Sequence, residues 1–245
     1  MSIITPCHNS ERYVGETIES VQAQTYPWWE MIIVDDCSTD GSTSVVESYA
    51  AADPRIRLVR LPENVGPALA RNRGVELAAG QYITYIDSDD LWYPRFLEKT
   101  VRTIRATGYP FVYASYARYL EEQKRYLRPY HVPRRVDYQR LLKNCPIPTL
   151  TAVYDAKVVG KHYMLDVGRE DYSLWFSLLD KTPFAYGLKE PLAVYRMHKA
   201  SRSRNKLQIA KLQWTYYRDV LSLSFARAAR YMVYYAMFSL RKYLS

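Results

Sequence analysis

The chain has little of what most catalytic motifs are built from: four histidines, three cysteines and nine glycines in 245 residues. Cys7, Cys37 and Cys145 are odd in number and far apart, with no CxxC pair and no Cys/His cluster. That excludes a structural zinc site and a secreted disulfide framework, and predicts a reducing, cytoplasmic setting. No GxGxxG follows the first apolar run, so dinucleotide redox chemistry is poorly supported, and no GxxxxGK[ST] phosphate loop occurs. No GxSxG elbow is present either, which leaves a Ser–His hydrolase without a nucleophile. Ile3-Ile4 is followed at once by Pro6, His8 and Asn9, a pattern unlike a secretory leader. The longest strongly apolar run, Tyr231 to Leu240, has ten residues, against about 20 for a helix crossing the hydrocarbon core.

What is present is a globular composition, 48% hydrophobic and 24% charged, with a net charge of +9. The charge is divided by position: −5 over residues 1–117, +4 over 118–195 and +10 over 196–245. A nearly neutral body with a basic tail argues against a domain coated for duplex DNA. It favours a locally basic surface aimed at an anionic partner.

The first hundred residues alternate short apolar runs with helical spacing. Strands are predicted at Ser2–Thr5, Glu30–Val34, Ile56–Arg60, Gln81–Ile86 and Phe111–Ser115. Helices are predicted from Ser10 (as N-cap) to Gln24, over Ser42–Ala51, from Pro67 to Ala79 with Gly80 as the stop, and from Pro94 to about Thr107. This order implies βαβ units and a mostly parallel α/β sheet flanked by helices, whose ligands bind at the carboxyl ends of the strands. Residues 116–148, rich in Tyr, Arg and Pro, lack a clear period and read as a mobile or acceptor-facing stretch. A strand over Thr149–Tyr154, a helix over Asp171–Lys181, a strand over Leu192–Tyr195 and a two-part helical tail from Leu207 complete the chain.

Two acidic clusters fall at predicted strand ends. Asp87-Ser88-Asp89-Asp90 places three carboxylates in four residues. They repel one another unless a cation joins them, and oxygen ligands of this kind suit Mg²⁺ or Mn²⁺ shared with substrate phosphates. Read alone, the same residues are a solvated turn before a helix. Asp35 and Asp36 end the second strand and can hydrogen-bond a base or ribose, though alone they are turn chemistry. Arg71 and Arg73, on the helix after Asn64-Val65-Gly66, can meet phosphate or a surface carboxylate. On the helix near 171, Asp171 shares a face with Leu174, Trp175 and Leu178, and Glu170 lies on a more polar one. Asp171 is therefore expected to lean into the core or cleft as a candidate base, with ordinary helix-start charge the plainer reading. His198 follows a strand and precedes Arg202 and Arg204, surroundings suited to diphosphate.

The ordered set Ile3–Asn9 (IITPCHN), Gln24-Thr25-Tyr26, Glu30–Gly41 (EMIIVDDCSTDG), Asn64-Val65-Gly66, Ala70–Gly74 (ARNRG), Tyr85–Asp90 (YIDSDD), Glu170-Asp171 and Tyr195–Ser201 (YRMHKAS) resembles the inverting family 2 glycosyltransferases of GT-A fold. It is most similar to bacterial enzymes of O-antigen, capsule or teichuronic-type polysaccharide synthesis, and the likeness covers about residues 1–205. The resemblance implies a GT-A catalytic domain over 1–205 (nucleotide-sugar half 1–115, acceptor half 116–205) and a helical tail over 206–245. It implies that Thr5, Pro6, Asp35 and Asp36 cradle the uracil and ribose of a UDP-sugar. His8, Asn9, Asn64, Glu170 and Arg196 belong to the same nucleotide-sugar site, and Arg71 meets the diphosphate or sugar. Asp89 ligates Mn²⁺ or Mg²⁺, Asp87 contacts the ribose or the cation's shell, and Asp90 lies near sugar hydroxyls. His198 helps hold the cation, and Asp171 deprotonates the acceptor. The family often has Tyr where His8 stands. The Gln-x-x-Arg-Trp motif of processive synthases is missing, which favours one sugar per encounter.

Arg227, Arg230, Arg241 and Lys242 bracket Tyr231–Leu240, as in a helix lying at an anionic bilayer surface. The expected setting is the inner face of the plasma membrane, with a lipid-linked saccharide as acceptor; core packing or a homodimer is the alternative use of the tail. A non-catalytic nucleotide-sugar or lipid-binding scaffold is the rival function, and it would do without the metal and base residues. A sugar-nucleotide pyrophosphorylase would need a basic, glycine-rich loop where Cys7-His8-Asn9 stands. A nucleic-acid partner is not expected.

Overall fold

The computed structural model describes residues 1–198 and 206–244. Strands β1 (Ser2–Cys7), β2 (Glu30–Asp35), β3 (Ile56–Arg60) and β4 (Tyr82–Tyr85) alternate with helices α1 (Val14–Gln22), α2 (Ser42–Ala52) and α3 (Pro67–Leu77). After β4 come the two-residue β5 (Leu91–Trp92), α4 (Phe96–Thr107), β6 (Phe111–Leu120), β7 (Arg125–Tyr130), β8 (Arg135–Val136) and α5 (Tyr138–Lys143). A 3-10 turn (Thr149–Thr151) leads to β9 (Val153–Asp155), α6 (Ala156–Val159), α7 (Glu170–Leu179) and β10 (Ala185–Met197). The tail consists of α8 (Lys206–Thr215), a π-helical turn (Tyr216–Val220) and α9 (Phe225–Leu244).

Among the described residues the sheet runs β3-β2-β1-β4-β9-β6-β10-β5, with β7 paired to β6 and β8 to β10. The β3-β2-β1-β4 part is parallel, and the antiparallel β9 separates it from the parallel pair β6–β10. The chain leaves β1 towards β2 and β3, then returns to β4 on the other side of β1, which opens a crevice at their carboxyl ends. Both sheet faces are covered, as the unbroken apolar runs require. Ile4, Ile32, Val34, Ile83 and Tyr85 pack on one face. Ile3, Met31, Ile33, Tyr82 and Ile86 pack on the other. Gly74 lets α3 lie on β1, since a Cβ there would stand 2.4 Å from Ile4 Cγ2.

The expected elements recur with instructive differences. Ser10 does not cap α1 with its side chain: its carbonyl accepts from Tyr13 and Val14, and its hydroxyl turns to Ser88 instead. Gly80 is not a helix stop, because α3 already ends at Leu77 and Ala78 is extended. Gly80 serves close approach, as a Cβ there would lie 2.6 Å from the Ser2 nitrogen. Residues 116–148 are ordered, with β6 running on to Leu120 and turning into β7. Arg125–Tyr130 is exposed on both faces, so no alternation marks it as a strand.

The tail shares the core of the body. Tyr216, Tyr217, Leu223, Ala228 and Tyr231 are buried together with α7 and α5, and the Tyr217 hydroxyl donates to the Leu142 carbonyl at 2.5 Å. Core packing, the plainer use of the tail, is thus real for one stripe of α9. Phe225, Val233, Tyr234 and Met237 stay exposed. No helix among the described residues is long and apolar enough to cross a membrane.

Candidate active site

The carboxyl ends of β1, β2 and β4 bring the two acidic clusters to one crevice. Asp36 N–H donates to the Cys7 carbonyl at 2.8 Å and Ile86 N–H to the Ile4 carbonyl at 3.1 Å, so both clusters are hung from β1. The Ser10 and Ser88 hydroxyls join across the gap at 2.7 Å, and the Thr17 hydroxyl holds the Asp90 carbonyl at 2.9 Å.

Asp35 and Asp36 divide their work. Asp36 accepts from the backbone N–H of Val65 (2.7 Å) and Gly66 (2.9 Å), which ties the 64–66 loop to β2. Each of its carboxylate oxygens thereby braces the loop. Asp35 Oδ2 accepts from Ser38 N–H at 3.2 Å, whereas its Oδ1 is buried with no partner. The hydroxyl of Thr5, on the neighbouring strand, is likewise buried and unpartnered. Two orphaned buried oxygens on adjacent strands, two rungs apart in register, are costly unless a ligand satisfies them.

Around them, His8 Nδ1 donates to the Asp36 carbonyl at 2.7 Å, leaving Nε2 to accept from Asn9 Nδ2 and Asn64 Nδ2 at 3.3 Å each. Asn9 is held at φ 49° while its Oδ1 accepts from Thr39 N–H at 2.8 Å. Pro6 sits half-buried at the β1 end beside Val34. Burial, then the Asp35 charge, pushes the Cys7 thiol up to about 12, so it stays protonated and is no nucleophile.

In the second acidic cluster two carboxylates meet basic side chains and the third accepts a backbone N–H. Asp87 pairs with Arg71 at 2.5 Å, Asp89 with His198 Nε2 at 2.7 Å, and Asp90 Oδ1 accepts the Arg196 N–H at 2.8 Å. The sequence reading, in which only a cation could relieve their repulsion, missed these partners because all but Arg71 lie more than a hundred residues away. Burial, then the charge of Asp87, raises the Asp89 carboxyl; burial, then Asp89, raises Asp90 strongly. Burial alone would lower the Arg71 guanidinium, but Asp87, with Glu170 and Asp171 beyond it, outweighs this and holds it raised. Its Nε is buried and unpartnered.

Two expectations are corrected here. The Arg196 side chain is buried against Glu16 (2.5 Å) and Glu121 (3.4 Å), so towards the expected nucleotide-sugar site it turns its backbone N–H, while its guanidinium is held by carboxylates. The face argument that set Asp171 inward and Glu170 outward does not hold. Tyr172, Leu174, Trp175, Phe176, Leu178 and Leu179 are all buried, so α7 is covered nearly all round, and both acids emerge half-buried from its first turn. Sequence reasoning also missed Tyr13, whose ring stacks on His198 at 5.5 Å and lies under the Arg196 guanidinium at 4.9 Å. Only the helical spacing from Tyr13 to Thr17 hinted that it faces the site. Arg73 points elsewhere, to Glu76. Arg202 and Arg204 lie outside the described residues.

For a divalent cation, Asp89 supplies a carboxylate oxygen that suits Mn²⁺ or Mg²⁺ shared with substrate phosphates, and His198, in contact with it, an imidazole nitrogen that Mn²⁺ accepts more readily than Mg²⁺. Asp87 is turned to Arg71, and among the described residues no three potential ligands converge.

The arrangement has known counterparts. The family described as "Glycosyl transferase family 2" matches residues 2–165. The chain is 39% identical over 245 residues to the putative teichuronic acid biosynthesis glycosyltransferase TuaG of Bacillus subtilis, covering 100% of this chain and 97% of that protein. It is 32% identical over 244 residues to WfgD of Escherichia coli, covering 99% and 94%. WfgD is named a UDP-Glc:alpha-D-GlcNAc-diphosphoundecaprenol beta-1,3-glucosyltransferase. Among solved structures, Staphylococcus aureus TarS 1-349 in complex with UDP-GlcNAc superposes with a TM-score of 0.71 at 19% identity, over 96% of this chain and 71% of that one. The last likeness shows a shared GT-A fold.

Proposed function

The chain belongs to glycosyl transferase family 2 and is a sugar-transferring enzyme, and from that premise we propose an inverting, metal-dependent transfer of one sugar from a UDP-sugar to a saccharide carried on a polyprenyl diphosphate. The observation that carries the reading is the two buried, unpartnered oxygens, Thr5 Oγ1 and Asp35 Oδ1, on the adjacent strands β1 and β2. A uracil ring offers an N–H donor for the carboxylate and a carbonyl for the hydroxyl.

Asp171 takes the proton of the acceptor hydroxyl, which is a weak nucleophile until then. With one base and no protein nucleophile, attack on the face opposite the departing UDP inverts the anomeric carbon. Arg71, at Asp87, meets the diphosphate or the sugar, and Asp90 orders the strand end beside it. Asp89 and His198 would hold the cation, which neutralises charge developing on the departing diphosphate. Residues 1–115 form the donor half and residues 116–205 the acceptor half. On α9, Arg227 and Arg230 share a face with the exposed Tyr234 and Met237. That stripe rests on the inner face of the membrane and brings the crevice to its lipid-linked acceptor.

A panel of UDP-sugars with a sugar–diphosphate–lipid acceptor tests the reading through UDP release. One donor is expected to stand out, and chelation of divalent cations is expected to lower its rate at least 10-fold, with Mn²⁺ or Mg²⁺ restoring it. Absence of UDP release with every donor would refute the proposal.

A further inference from the structure

Most basic side chains at the crevice already have carboxylates. Arg71 has Asp87, His198 has Asp89, and Arg196 has Glu16 and Glu121. Arg169 differs. It occupies the N-cap position of α7, two residues before Asp171. Its buried Nε has no hydrogen-bond partner, and among the described residues no carboxylate closes an ion pair on its guanidinium. The group is nevertheless fixed in place. Its Cζ lies 4.2 Å from the centroid of the buried Tyr172 ring. Gly168 before it, at φ 70°, is pressed on α8, where an added Cβ would meet Leu212 Cδ2 at 2.8 Å. Burial would lower the guanidinium, and Asp171 beside it, together with Tyr172, Tyr235 and Cys145, holds it raised.

A cation fixed at the positive end of a helix, with no carboxylate in direct contact, is not arranged for stability. Guanidinium presents a planar fork that matches phosphate oxygens, and it is more weakly hydrated than ammonium. These properties suit an anion that comes with the substrate. In a sugar diphosphate acceptor, the anionic group sits on the anomeric carbon of the sugar whose hydroxyl reacts. Hydroxyl and diphosphate are then one sugar ring apart, and Asp171 and Arg169 stand together at the start of α7.

We propose that Arg169 binds the diphosphate of the acceptor and thereby sets the distance at which its hydroxyl meets Asp171. This rests on the reading of the acceptor given above. The specificity that follows is for an acceptor sugar attached directly to diphosphate, over the same sugar as a neutral glycoside or at the end of a longer chain.

The test compares kcat/KM for two acceptors bearing the same sugar, one on a lipid diphosphate and one on a neutral alkyl chain. The full-length chain is expected to prefer the diphosphate at least 10-fold. Arg169→Gln is expected to abolish most of that preference through acceptor KM, with donor KM moving less than twofold. Arg169→Lys keeps the charge without the fork and should fall between. Equal losses on both acceptors would make Arg169 merely structural, and a rise in donor KM would assign it to the UDP moiety; either result overturns the proposal, as does an unchanged preference. Should Arg169→Gln fail to fold, Arg169→Lys decides, because it must show the same acceptor-specific rise in KM. A wild-type chain that transfers to neither acceptor overturns the functional reading itself.

Discussion

Asp171→Asn should lower kcat about 10³-fold while the Kd for UDP stays within a factor of two. A positioned general base contributes roughly 10²–10⁴ to such a step, and the amide keeps the shape of the side chain without its proton affinity. Asp171 is half-buried in the first turn of α7, and it acts electrostatically on both Arg71 and Arg169. Its influence on Arg71, the group that meets the diphosphate or sugar, is weaker than that of Asp87, which pairs with Arg71 directly, so donor binding should survive. Glu170 supplies the internal comparison. It emerges from the same turn with similar exposure, and Glu170→Gln should cost less than 10-fold. A variant pair with the opposite order would move the base to Glu170.

Asp35→Asn should weaken UDP binding by about 10- to 100-fold. A hydrogen bond to a charged group contributes about 1.5–3 kcal/mol, and Asp35 Oδ1 is buried with nothing else to accept from. The amide presents a donor or a neutral acceptor where uracil requires a charged acceptor, so the preference for UDP over CDP should shrink as well. Asp36→Asn gives a different result because Asp36 holds Val65 and Gly66. It should loosen the 64–66 loop and lower affinity for UDP and CDP alike. Calorimetric titration with both nucleotides separates a base contact from loop bracing.

Much of the donor half was legible in the sequence because its physics is local. Buried parallel strands are short continuous apolar runs, as in Met31–Val34, and Pro67 marks its helix start at the first position. Both acidic clusters could be placed at strand ends, and the topology puts them in one crevice. What could not be read is who neutralises whom. His198 reaches Asp89 and Arg196 reaches Asp90 only after the chain has crossed β9, β6 and β10. The β6–β7 hairpin escaped for a different reason, since a strand wet on both faces carries no period. Likewise, helical spacing could not rank Asp171 over Glu170 on a helix buried around nearly its whole circumference. Arg169 bore no signal at all in sequence: an arginine without a partner is recognised only when its surroundings are known.

The anomeric configuration of the first product tests the account most directly, because it requires transfer to occur and reports how many displacements produced it. The chain should convert an α-linked UDP-sugar into a β-glycoside, seen in the proton NMR coupling at the new anomeric centre. An α-linked product would mean retention, and a single base at Asp171 acting by one in-line displacement would then be the wrong mechanism.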